Sequence, residues 1–143
     1  APHLWRRYTC YADHIQSQRG VCQTEILFHG TRNTDPSKIY ALQSDGFDHK
    51  YSNFNCLWGP GAYFAVNASY SHNYASTTPQ GERQMFVALV AVGQPKEFGE
   101  TTNSSLRYPP DGCDSVRGFT NGSVVYIVYD AGRSYPQYLI TYK

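Results

Sequence analysis

With 143 residues the chain has the length of one domain with one hydrophobic core, and a formal charge of +1 leaves neither a basic footprint for nucleic acid nor a charge run for a membrane surface. Cys10, Cys22, Cys56 and Cys113 are scattered without a Cys-x-x-Cys pair, which argues against a metal site and for reduced thiols in an intracellular protein. Thirteen tyrosines and seven phenylalanines suit either a strand-rich core or a stacking pocket, and no apolar run reaches membrane-spanning length.

Pro2 fits the first turn of a helix along which Leu4, Trp5, Tyr8, Tyr11, Ala12 and Ile15 recur at helical spacing, and Gly20 marks its end. Those residues are expected to face the core, with His3 and His14 as surface or packing residues. Residues 25–28 form a short strand that delivers His29-Gly30-Thr31. A histidine at a strand end, followed by a glycine that permits close backbone approach, suits a ligand site; a histidine hydrogen-bonded inside the fold fits the same pattern. Asp35-Pro36-Ser37 start a second helix, with Ile39 and Leu42 packed inward and Gly46 at its C-terminal end. Residues 47–58 show no periodicity and read as a functional loop.

The stretch from Gly59 to Ala75 is the most informative. Gly59-Pro60-Gly61 makes a tight turn, residues 62–65 a short buried strand, and Asn67 or Ser69 caps a helical turn presenting Tyr70, Ser71 and Tyr74. Two tyrosines and a hydroxyl in one small volume suit a flat ligand with a polar edge. Residues 77–83 then form a polar turn, and the apolar run 85–92 a central strand. Residues 98–120 are irregular with at most one short strand, 124–129 are a buried strand, 130–133 a turn, and 135–142 a last strand near a proline. Helices in the first half and strands in the second indicate an α+β fold. Gly-x-Gly-x-x-Gly after a strand, a Walker sequence and a serine nucleophile elbow are all lacking, and Glu97 with Glu100 and Asp111 with Asp114 read as solvated loop charges.

Leu27-Phe28-His29-Gly30-Thr31, then Gly59 to Ala65 with Ser69-Tyr70-Ser71 and Tyr74, then Val125-Tyr126-Ile127-Val128-Tyr129-Asp130 and Tyr135 to Ile140 come in an order that resembles the diphtheria-toxin-like ADP-ribosyltransferases, the poly(ADP-ribose) polymerase superfamily. The resemblance implies two packed, mainly antiparallel sheets forming an NAD cleft with short flanking helices. It implies one catalytic domain over residues 1–143, cut from a longer chain. By the same resemblance His29 contacts the adenine-side ribose of NAD, the Gly30 backbone and Ser71 read the nicotinamide carboxamide, and Tyr63 and Tyr74 sandwich the ring. Thr31, Phe64 and Ala65 count among the NAD-contacting positions, and residues 47–58 fall where the family has its donor loop.

The departure is at the third position of the family's His-Tyr-Glu triad, where Val125 stands in place of glutamate. Valine cannot polarise a sugar hydroxyl, so polymer synthesis is excluded and single transfer is expected, onto protein carboxylates or thiolates, the protein's own included. NAD is the expected co-substrate, with no metal, no nucleic acid and no membrane. The alternative is a non-catalytic homologue that binds NAD or ADP-ribose, a protein or RNA through the same cleft.

Overall fold

The computed structural model describes residues 1–48 and 57–143. Helix α1 (Pro2–Arg19) starts at its proline and ends where Gly20 turns left-handed, its N–H bonding back to the Gln16 carbonyl. Leu4, Tyr8 and Ile15 are its buried face. Trp5, expected inside, is 44% exposed. It lies at the border of that face, where its ring stacks on Tyr8 and meets the edge of Tyr135.

Among the described residues eight strands follow: β1 (Thr24–His29), β2 (Ala62–Ala65), β3 (Ser76–Thr77), β4 (Arg83–Ala91), β5 (Pro95–Gly99), β6 (Ser115–Thr120), β7 (Ser123–Val128) and β8 (Ser134–Tyr142). Between them lie α2 (Ser37–Tyr40), α3 (Ala68–His72) and a 3-10 turn at Ala131–Arg133, capped by the Asp130 carboxylate on the Gly132 N–H. The strands are hydrogen-bonded in the order β3-β4-β1-β2-β7-β6-β5, with β8 on the other edge of β4. All pairs are antiparallel except β5 with β6. The expected two sheets are therefore continuous, but only through the single register pair Phe28–Ala65 between β1 and β2. Beyond that pair β1 stays with β4 and β2 with β7, so the two halves part at the ends of both strands.

Strand alternation divides the core. Leu27, Phe64, Phe86, Val90 and Val128 face one side and pack with Ile39 and Phe47. Ala65, Val116, Val125 and Ile127 face the other, under Trp58 and Tyr70. Each fully buried side chain of this size contributes roughly 1.5–3 kcal/mol.

Three expectations are corrected. The second helix is only one turn long: Ala41 is extended and Leu42 is 81% exposed. The reason is Ser44, whose hydroxyl lies 2.6 and 2.7 Å from the Lys38 and Ile39 carbonyls and accepts the Gly46 N–H. Side-chain capture of helix carbonyls competes with the helix ladder. One hydroxyl proton shared between the two carbonyls and one accepted N–H, about 1 kcal/mol each, match the roughly 2 kcal/mol that burying Leu42 would contribute. The polar turn at 77–83 is the hairpin between β3, which ends at Thr77, and β4, which begins at Arg83, but the segment after β4 is not irregular from the start: β5 begins at Pro95, an edge strand without apolar alternation. Asp114 is not a solvated loop charge. It is buried, with Oδ2 2.6 Å from Arg19 Nε and accepting the Gln94 N–H, and with Arg133 Nη1 3.6 Å from Oδ1. That cluster fastens the last turn of α1 to the β4–β5 turn and the 3-10 turn.

Candidate active site

The parting of β1 from β2 creates the site. On one arm, the chain leaves β1 at His29 and runs through Gly30 and Thr31 to Arg32, whose N–H donates to the Tyr74 carbonyl at 2.7 Å. A Cβ on Gly30 would lie 2.8 Å from the Ala75 nitrogen and closer still to the Tyr74 carbonyl. Only glycine lets these two segments meet, which brings Tyr74 beside the end of β1. On the other arm, β2 carries Tyr63 opposite Ile127 of β7.

His29 bridges the two arms. Its Nδ1 lies 2.6 Å from the Tyr63 carbonyl oxygen, and its ring is tilted or edge-on to Phe64 and Phe47 at about 5 Å. The side chain is 8% exposed, and burial pushes its pKa down to about 4, against a smaller upward pull from the Tyr63 carbonyl. At neutral pH the ring is therefore uncharged, with Nδ1–H donating to Tyr63 and Nε2 left as an acceptor. An acceptor at that position suits a ribose hydroxyl.

Tyr63 is held by its tip. Its hydroxyl accepts the Trp58 N–H at 2.9 Å and donates to the Gly59 carbonyl at 2.7 Å. Gly59 has φ of 83°, and a Cβ there would run into the Leu106 carbonyl. With the hydroxyl anchored, the ring face is what Tyr63 has left to present. Tyr74, two residues beyond α3, has its ring 5.3 Å from that of Tyr70. Tyr63, Tyr74 and Tyr70 pack on one cluster with Val125, which pairs with Ala65 and is fully buried. Ser71 is buried in α3, and its carbonyl accepts the Tyr74 N–H at 2.9 Å.

The structure thus brings His29, Gly30, Tyr63, Ser71, Tyr74 and Val125 to one end of the sheet. Three expected contacts are placed differently. Phe64 and Ala65 are closed in the core, Phe64 on one face of β2 and Ala65 on the other. The Thr31 hydroxyl is buried and turned back onto the Thr34 carbonyl at 2.8 Å, where it shapes the turn after Gly30. Of the donor loop, residues 49–56 lie outside the described residues; Phe47 packs against His29 and Trp58 under Tyr63.

Sequence reasoning missed Arg32, Trp58 and Tyr129. Arg32 has φ of 53°, and its guanidinium carbon stands 5.3 Å from the Tyr74 ring centroid, a cation on an aromatic face. Tyr129 donates its hydroxyl to the Trp58 carbonyl at 2.6 Å. Among the described residues no group of three or more His, Cys, Asp or Glu side chains could hold a metal ion, and no helix is long and apolar enough to cross a membrane.

Residues 3–125 match the family model described as the poly(ADP-ribose) polymerase catalytic domain. A probable poly(ADP-ribose) polymerase of Dictyostelium discoideum is 34% identical over 148 residues, covering 98% of this chain and 41% of that protein. The human protein mono-ADP-ribosyltransferase PARP14 is 29% identical over 99% of the chain and 8% of its own length. The mouse protein mono-ADP-ribosyltransferase PARP12 is 30% identical over 98% and 20%. The chain therefore spans less than half of the curated relatives it matches.

Proposed function

The chain belongs to the poly(ADP-ribose) polymerase catalytic-domain family, and on that premise we propose that it is a protein mono-ADP-ribosyltransferase using NAD as co-substrate. The observation that supports the reading is Val125, a buried hydrocarbon side chain in the same cluster as the two tyrosines, at the position that the resemblance assigns to the third triad member. Tyr63 and Tyr74 would hold the cationic nicotinamide ring by their faces, and the Gly30 backbone with the Ser71 hydroxyl would read its carboxamide. The neutral His29 would accept from the adenine-side ribose.

In the reaction the bond between the nicotinamide nitrogen and ribose C1′ breaks, its electron pair staying on the departing neutral nicotinamide. An acceptor carboxylate or thiolate forms the new bond to C1′ with its own electron pair. No proton has to be removed from such an acceptor, so a buried valine does not block the step. A sugar hydroxyl does need that help, which confines the product to one unit. The unpaired Cys10, Cys22 and Cys113 support an intracellular setting for this activity.

The test is incubation of the purified chain with NAD labelled in its adenine half, alone and with added proteins. Covalent label together with free nicotinamide, both lost in Tyr74→Ala, is the expected result. NAD binding without label or nicotinamide release would leave a binding module.

A further inference from the structure

We propose that Trp58 and Tyr129 are positioning residues that fix the Tyr63 ring as a wall of the nicotinamide pocket, an inference that rests on the NAD reading of the site. The Tyr63 hydroxyl accepts the Trp58 N–H and donates to the Gly59 carbonyl. The main chain of these two residues therefore helps set the orientation of the ring.

That peptide is held from the far side. The Trp58 carbonyl accepts the Tyr129 hydroxyl at 2.6 Å, and the indole N–H donates to the Thr101 carbonyl at 2.9 Å. The indole ring, fully buried, fills the space above Gly118 of β6, where a Cβ would lie 2.8 Å from Cε2 and closer to the ring's outer atoms. Burial pushes the Tyr129 pKa up, so its hydroxyl stays a proton donor throughout the working pH range. Two tyrosines from opposite sides thus take the N–H and carbonyl of Trp58 and the carbonyl of Gly59. A purely packing role would need the volume of these rings and not three directed hydrogen bonds on one turn. The chain of contact runs Tyr129, Trp58 main chain, Tyr63 hydroxyl, ring face.

The experiment is titration calorimetry of nicotinamide and of NAD into the purified chain, with unfolding midpoints measured alongside. Tyr129→Phe keeps the ring and deletes the hydroxyl; about fivefold weaker nicotinamide binding per folded molecule is expected, the equivalent of one hydrogen bond. In the Tyr63→Phe background, where the tip is already released, the same change should cost less than twofold, because the two residues act in series. Trp58→Phe, which loses the indole N–H, is read the same way and serves if Tyr129→Phe does not fold. Unchanged affinity with only a lower midpoint, or equal factors in both backgrounds, overturns the proposal while leaving the NAD reading intact. A wild-type chain that binds neither nicotinamide nor NAD overturns the NAD reading, and this proposal with it.

Discussion

The imidazole Nδ1 of His29 and the main-chain oxygen of Tyr63 lie 2.6 Å apart, across the point where β1 and β2 separate. One side chain thus closes the apex of the sheet and fixes the histidine tautomer. The pH dependence follows from its burial. In the fold the imidazole stays neutral down to about 4, whereas in the unfolded chain it takes up a proton near its ordinary 6.5. The stability from keeping it neutral is fully present above about pH 6.5 and is lost as the pH falls toward 4. Urea unfolding between pH 7 and 4 should show this group contributing a slope of up to about 1.4 kcal/mol per pH unit, and His29→Gln should flatten it.

Gly30→Ala tests the meeting of the two segments that deliver Tyr74. The added methyl group meets main chain rather than a movable side chain, so the strand end or the Tyr74–Ala75 turn must shift. A loss of about 1–3 kcal/mol in stability is expected, together with a drop of at least tenfold in NAD affinity. Calorimetric unfolding and NAD titration measure the two effects separately.

Val125→Glu should not convert the chain into a polymerase. Val125 is enclosed by Trp58, Ala65, Tyr70, Val116 and Ile127, none of which carries a charge to pair with a carboxylate. The variant should lose about 3 kcal/mol or more and carry a carboxyl pKa well above the ordinary range. Long polymer on a gel from this variant would contradict the packing described for it.

Asp114→Asn probes the opposite end of β1 from the site. It leaves Arg19 and the largely buried Arg133 without their anion, so a stability loss of about 3 kcal/mol is expected. NAD affinity of the folded fraction should not change, since the cluster holds α1 and the β4–β5 turn rather than the cleft.

What was legible in the chain was whatever rests on local pattern. The strand-then-glycine at His29-Gly30, the turn at Gly59-Pro60-Gly61 and the helical start at Asn67 all lie within a few residues of the side chains they place. The short α2 was not legible, because the Ser44 hydroxyl reaches back five and six residues to carbonyls it takes from the helix. Nor was Asp114, whose partner Arg19 is 95 positions away. The seat of Trp58 on Gly118 and its bond from Tyr129 likewise join distant segments, and no spacing in the sequence marks them. Phe64 and Ala65 count as contacts by resemblance alone; that both faces of β2 are covered at these two positions, so that each is buried, follows from distant segments.

The most direct test of the account counts ADP-ribose units. The chain is incubated with NAD, digested, and each modified peptide analysed by mass spectrometry. Single ADP-ribose units on carboxylate or thiol side chains, accompanied by equimolar nicotinamide, are the predicted result. Chains of two or more units on one residue, or bound NAD with no modified peptide at all, would contradict it.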